Sequence, residues 1–165
     1  METTAMTTSI KNIHSVFSLN TRLFLNALEE LTEAQVKERI SEHNNPINWI
    51  ATHTIWARYN VSMILGIPVQ NPYQGLFENF KAYDVTMDLP SLATLKSEWQ
   101  KASEHLEKAF EQVTEAHLAA DGPFKNPIGD NSNAGTIAFL AQHESYDIGQ
   151  IAFLKKYYTK QAMKY

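Results

Sequence analysis

The most diagnostic segment of the chain is a long apolar stretch near its C-terminus, residues 133–158, which reads NAGTIAFLAQHESYDIGQIAFLKKYY. Its apolar residues recur at three- and four-residue steps, the spacing of one face of an α-helix. Within that pattern His143 and Asp147 are four residues apart, so they project from the same side of the helix. An imidazole and a carboxylate among apolar side chains need a partner, and one ion held by both would supply it. The segment therefore predicts a helix, with Asn133 as its N-cap, that carries part of a metal site.

Three further segments have the same helical periodicity. The predicted helices run from about residue 5 to 30, from about Pro46 to Leu65, and from about Ser91 to Ala120. Asn45 is a suitable N-cap for the second of these, and Pro46 suits a first helical position, where a missing backbone N–H costs nothing. Gly66 is a suitable C-terminal cap for the same helix.

The segments between these helices are of two kinds. Residues 31–45 are polar and predict a connector with one helical turn, whereas residues 67–90 combine prolines with scattered aromatic residues and predict a long loop. Loops of that length are uncommon unless they pack over something or are functional. Four long helices without a strand pattern predict an all-α fold, a four-helix bundle with a long crossover loop between helices 2 and 3. A chain of 165 residues is expected to form one domain, 1–165.

Composition excludes several classes of function. The chain has no cysteine, which excludes disulfides, thiolate zinc sites and a cysteine nucleophile. The net charge is -4 and no basic cluster is present, so nucleic-acid binding is not expected. No apolar run approaches the roughly 20 residues of a membrane-spanning helix, and no membrane association is expected. The first residues have neither a basic start nor an apolar run, so we expect a cytoplasmic protein.

A second histidine completes a candidate ligand set. His53 lies in the apolar stripe of the predicted second helix, and together with His143 and Asp147 it gives two imidazoles and one carboxylate. Such a set leaves open positions and suits a divalent metal: zinc, iron(II), nickel or manganese. The alternative is that each histidine forms an ordinary hydrogen bond in a polar notch of the core.

Other interpretations of the histidines are weaker. The order His143-Glu144 followed by Asp147 is similar to a metalloprotease helix with Glu144 as general base, but residues 148–165 contain no His, Asp or Glu to serve as a further ligand. The remaining histidines have no ligand-spaced partner: His14 is assigned to the core or its boundary, His43 to the connector, and His105 and His117 to the solvated face of the third helix.

The chain resembles the DinB-like (YfiT-like) superfamily of metal-dependent four-helix bundles over nearly its whole length. In that family one metal-binding histidine lies near the middle of the second helix, which here is His53 in the segment 48–56. Two more lie on the fourth helix as H-x-x-x-H followed by x-G-Q, which here corresponds to His143, Asp147 and the pair Gly149-Gln150. The connector at residues 31–35 is also typical of the family.

The resemblance implies metal-dependent chemistry, either transfer of a low-molecular-weight thiol co-substrate to an electrophile or hydrolysis, and it is compatible with a homodimer. The third histidine of the family is replaced by Asp147, whose charge would acidify a metal-bound water less than a third imidazole does. Alternatively the site has degenerated, and Asp147 accepts a hydrogen bond from His143.

Three further residues are placed near the predicted site. They are Trp56, which could line a pocket, Glu144, assigned to the surroundings of the site or to the surface, and Gln150. The rival hypothesis is a non-catalytic bundle, ligand-binding or dimeric and structural, in which the three candidate ligands form a polar network.

Overall fold

The computed structural model describes residues 10–165, and the regular secondary structure in that range is helical. Its seven helices are α1 (Lys11–Leu28), α2 (Glu33–Lys37), α3 (Ile47–Ile64), α4 (Gln74–Phe77), α5 (Leu92–Gln112), α6 (Glu115–Ala119) and α7 (Asn133–Thr159). A short 3-10 turn, Glu78–Phe80, follows α4. Between residues 10 and 165 the β-type pairing is limited to one isolated bridge, between Asp121 and Ser132. The predicted all-α bundle is therefore confirmed, while the predicted start of the first helix at residue 5 falls outside the described residues.

The four long helices, α1, α3, α5 and α7, enclose two apolar cores. The first core takes residues from the C-terminal halves of α1 and α7 and from the N-terminal halves of α3 and α5. The second core takes the opposite halves. Phe24 stacks on Trp99 in the first core with ring centroids 3.9 Å apart, and Phe17 lies 5.8 Å from Phe110 in the second. Consequently α1 and α7 run in one direction, and α3 and α5 run in the other.

The connection between α3 and α5, residues 65–91, is fixed to both cores. Ile67 packs against the second core, whereas Val69 and Tyr73 pack against the first. Asn71 Nδ2 donates a hydrogen bond to the Trp56 backbone oxygen at 3.0 Å, which ties this connection to α3. Instead of being a continuous loop, the connection contains α4 and the 3-10 turn.

The ends of α3 confirm one of the predicted caps and correct another. Gly66 has φ +97°, and its amide donates to the Met63 oxygen at 2.9 Å while that of Ile67 donates to the Ser62 oxygen at 3.0 Å. This pair of hydrogen bonds closes the helix in the way that a left-handed glycine allows. At the other end the N-cap is Pro46 and not Asn45, because Pro46 has extended backbone, and no side chain caps the helix.

The cap of α7 also differs from the prediction by one residue. Ser132 Oγ accepts a hydrogen bond from the Gly135 amide at 3.1 Å, so Ser132 is the N-cap. Asn133 is the first helical residue, and its side-chain amide donates to the His117 oxygen at 2.9 Å. The Asn133 side chain therefore binds α6, and the residue before it caps α7.

The predicted third helix is interrupted. It ends at Gln112 because Val113 has extended backbone with ψ 140°, and a separate helix, α6, begins after Thr114. The Thr114 hydroxyl accepts from the His117 amide at 3.2 Å and caps α6. The placement of His117 on a solvated face was therefore wrong: its Nε2 lies 2.7 Å from the Ile64 oxygen, at the end of α3.

None of the helices between residues 10 and 165 combines the length and the apolarity that crossing a membrane would require.

Two glycines of α7 are expected to respond in opposite ways to alanine. A Cβ at Gly135 would collide with the Asp130 backbone oxygen, so Gly135→Ala should destabilise the protein by about 2 kcal/mol or more. A Cβ at the exposed Gly149 meets no atom within 4 Å, so Gly149→Ala should stabilise it by about 0.5–1 kcal/mol through helix propensity. Urea denaturation of both variants measures the difference, and a stabilised Gly135→Ala protein would show that the Asp130 loop yields freely.

Candidate metal centre

His53 of α3 and His143 and Asp147 of α7 form a compact group with ligand atoms within 4.8 Å of one another. His53 Nδ1 lies 3.1 Å from Asp147 Oδ2, and His143 Nδ1 lies 3.8 Å from the same oxygen. The two imidazole rings have centroids 5.0 Å apart. All three predicted metal ligands are thus brought together, two by their spacing on one helix and the third by the packing of α3 against α7.

The protonation of His143 suits a metal ligand. Burial lowers the pKa of His143 below its ordinary value, an effect that the Asp147 carboxylate opposes and His53 reinforces. The neutral imidazole is the form that binds metals. In addition, the His143 Nδ1 atom is buried and has no hydrogen-bond partner within residues 10–165. A cation bound between His143 Nδ1 and the Asp147 carboxylate would give this buried nitrogen a partner.

The separation of Asp147 from each histidine fits a shared divalent cation. Two ligand atoms about 2.1 Å from one ion in tetrahedral geometry are about 3.4 Å apart. The separations from Asp147 Oδ2, 3.1 Å and 3.8 Å, lie on either side of that value. Imidazole is a borderline ligand and carboxylate is a hard one, and the combination suits zinc, nickel, iron(II) or manganese.

Two side chains contact the carboxylate of Asp147, which is 4% exposed. Gln150 Nε2 donates to Oδ1 at 3.3 Å, and the Thr54 hydroxyl lies 3.3 Å from Oδ2, although its single proton has a nearer acceptor in the Ile50 backbone oxygen at 2.8 Å. A hydrogen bond such as that from Gln150 fixes the direction of a ligating carboxylate. Gln150, which was predicted to lie near the site, therefore contacts the candidate ligand Asp147. The contact of Thr54 with Asp147 was not predicted from the sequence.

Aromatic rings surround His53. Trp49 is stacked on it with centroids 5.2 Å apart, Trp56 lies at 5.5 Å, and Phe77 of α4 meets its ring edge-on at 5.1 Å. The Trp56 indole N–H donates to Gln74 Oε1 at 3.3 Å, which links this cage to α4. The rings limit the rotation of the imidazole and cover one side of the site. Phe77 was one of several aromatic residues in an aperiodic segment, so sequence alone could not assign it to His53.

A cavity of about 780 Å³ opens beside the two histidines. His53 and His143 form part of its wall, together with Trp56, and the rest of the lining is mostly apolar or aromatic. Its walls come from α3, α7, the connection between α3 and α5, and the loop before α7. A volume of this size accommodates a small organic molecule.

Glu144 does not face this cavity. It is 1% exposed and forms a bidentate ion pair with the buried Arg58, with Nε to Oε2 at 2.9 Å and Nη2 to Oε1 at 2.7 Å. The carboxylate is therefore neither at the surface, one of the predicted positions, nor free to act as a general base. Arg58 was missed in the sequence, although it is the only Asp, Glu, Lys or Arg residue of α3, a signal that could have found it.

The other described histidines outside the group make unrelated contacts. His14 Nε2 lies 2.7 Å from Glu107 Oε2, and the same nitrogen is 3.3 Å from the Ser18 hydroxyl. In a serine hydrolase the serine and the carboxylate contact different ring nitrogens of the histidine. Here Glu107 and Ser18 contact the same nitrogen of His14, so these residues do not form a catalytic triad. His43 is exposed, and the His105 ring lies beside Tyr59.

Comparison with known proteins agrees with this architecture. A search of curated proteins returned no match. The family model of the DinB superfamily matches residues 17–151, a range that includes most of α1, all of α3 and α5, and all three candidate ligands. That match covers well over half of the chain, and the chain therefore belongs to the DinB superfamily.

Proposed function

We propose that this protein is a metal-dependent enzyme whose divalent cation is held by His53, His143 and Asp147. One observation carries the proposal: three mutually close ligand atoms, one of them an orphaned imidazole nitrogen, lie beside a cavity large enough for a small organic substrate. Three protein ligands with open positions are the arrangement of catalytic metal sites, whereas structural sites are closed. Zinc, nickel, iron(II) and manganese are the candidate ions.

The proposed reaction is transfer of a low-molecular-weight thiol to an electrophile, or hydrolysis. When bound, a divalent cation supplies Lewis acidity, which lowers the pKa of a thiol or of water. The protein's own groups supply the rest: burial lowers the pKa of His143 and so favours its neutral form, Gln150 holds Asp147 by a hydrogen bond, and Phe77 packs edge-on against His53. Glu144 has no part in proton transfer, because its two oxygens are taken by Arg58.

A non-catalytic bundle with a degenerate site is the second candidate, and one contact favours it. His53 Nδ1 is already within hydrogen-bond distance of Asp147 Oδ2, so these two residues form a polar pair without an ion. The predicted degenerate contact joined Asp147 to His143, and that pair is 3.8 Å apart. A metal-free network consequently leaves the buried His143 Nδ1 unsatisfied, at a cost of about 1–3 kcal/mol.

Elemental analysis tests the proposal. Protein purified without chelator is expected to contain one divalent ion per chain, and His53→Ala is expected to contain less than about a tenth of that amount, because one of three ligands is lost. His43→Ala is the matched control, since the exposed His43 lies in the connector between α2 and α3. Equal metal contents in the His53→Ala and His43→Ala variants, or a metal-free wild-type protein, would remove the basis of the metalloenzyme proposal.

A further inference from the structure

Two lysines from different loops line the same cavity as the candidate ligands. Lys81 follows the 3-10 turn in the connection between α3 and α5, and Lys125 lies in the loop between α6 and α7. Both are exposed, and neither forms an ion pair with any residue between 10 and 165. Two hydrogen bonds from Thr86 lower the pKa of the exposed Asp84, and the charge of Lys81 lowers it by less.

The two charged side chains of the cavity lining, Lys81 and Lys125, are both positive. Its ionisable lining consists of Lys81, Lys125, His53 and His143, and none of the described lining residues is acidic. A divalent cation would add two positive charges, of which Asp147 offsets one. The neighbouring Arg58 and Glu144 cancel each other. Such a cavity favours an anion over a neutral molecule of the same shape.

The rest of the lining favours an apolar body. Phe77 and Phe80 come from the side of α4, and Phe124 and Phe139 come from the side of α7. Phe80 and Phe124 are exposed, so these rings are available to a ligand. Aromatic side chains recognise flat apolar groups by stacking and edge contacts. The volume of about 780 Å³ allows an organic molecule with one or two rings.

We infer that the cavity binds an amphipathic organic carboxylate, with its apolar body against the phenylalanines and its carboxylate held by Lys81 and Lys125. The inference rests on the proposed function, because it takes this cavity as the substrate site of the metal centre. It deepens that proposal by naming the substrate class. The lysine charges are nevertheless independent of any metal, so the two ideas can fail separately.

Titration calorimetry with two probes of one shape tests the inference. The probes are 2-naphthoate and 2-naphthylmethanol, which share a ring system and differ in charge. Metal-free protein is expected to bind the acid about tenfold more tightly than the alcohol. Lys81→Gln combined with Lys125→Gln should weaken the acid about fivefold to tenfold and leave the alcohol unchanged.

The control carries the same change in net charge. Lys11→Gln combined with Lys108→Gln removes two exposed lysines that do not line the cavity, and it should bind both probes as the wild type does. Raising the salt concentration from 20 to 200 mM should weaken the acid alone. Equal affinities for acid and alcohol, an equal loss in both double variants, or no binding of either probe would overturn the inference.

Metal content separates the two proposals. A metal-free wild-type protein that still prefers the acid through Lys81 and Lys125 would overturn the metal proposal and leave the binding specificity standing. A protein that holds its metal but treats the two probes alike would overturn the specificity alone.

Discussion

Glu144→Ala is expected to lower the free energy of unfolding by about 3–5 kcal/mol, because it leaves the buried guanidinium of Arg58 without its carboxylate partner. The Arg58 side chain is 0% exposed, and all five of its N–H groups are used. Its hydrogen bonds go to both oxygens of Glu144, to the hydroxyls of Thr21 and Ser103, and to the Phe17 backbone oxygen. These partners lie on α1, α5 and α7, so one side chain of α3 joins the four long helices.

Urea denaturation measures this effect against a matched deletion. Glu104→Ala removes the same atoms from an exposed position of α5 and should change stability by no more than about 0.5 kcal/mol. A second variant addresses the origin of the loss. Combining Arg58→Met with Glu144→Met removes both charges and should be more stable than Glu144→Ala, because neither charge is then buried alone. A loss of less than about 1 kcal/mol in Glu144→Ala would mean that water reaches the guanidinium.

The sequence predicted the fold well where periodicity and end signals coincide. Gly66 marks the end of α3 because a left-handed residue is needed there, and glycine adopts that conformation without steric cost. The interruption at Val113 was missed because apolar spacing continues across it: Phe110 and Val113 lie in the second core, and so does Leu118 beyond the break. The spacing of apolar residues in the sequence does not reveal a change in backbone direction at a single residue.

The candidate site was predictable only in part. His143 and Asp147 are one helical turn apart, so their proximity follows from sequence, and His53 was identified by its place in the apolar stripe of the predicted second helix. The contact of His53 with Asp147, by contrast, depends on the packing of α3 against α7. The roles of Lys81 and Lys125 could not be predicted, since both residues lie in aperiodic loops and line the same cavity only through the tertiary arrangement.

Asp147 is the residue on which metal binding is most sharply testable. Asp147→Asn keeps the shape of the side chain and one acceptor oxygen for Gln150 Nε2, but it removes the negative charge and makes a poor ligand. We therefore expect zinc or nickel affinity to fall by about 100-fold or more, since even a partner of a ligand is worth 10–100-fold. The metal-free variant should remain folded, because the side chain still fills the same space.

Thermal unfolding with added zinc converts this loss into a measurable shift. At a zinc concentration of about 100 times the dissociation constant, the wild type gains about 2.7 kcal/mol. For a chain of this length that corresponds to an increase in Tm of about 5–11 °C. At the same concentration a 100-fold weaker variant gains about 0.4 kcal/mol, and its Tm rises by about 1–2 °C.

The control for this shift is Asp88→Asn, an exposed carboxylate in the connection between α3 and α5 that makes the same chemical change. It should retain the full zinc-induced shift, so that a difference between the two variants belongs to the position and not to the loss of one charge. Nickel should give the same order of effects, because both ions use imidazole and carboxylate ligands. If Asp147→Asn kept the wild-type shift, the carboxylate would not be a ligand, and its hydrogen bond with His53 would be the reason for its burial.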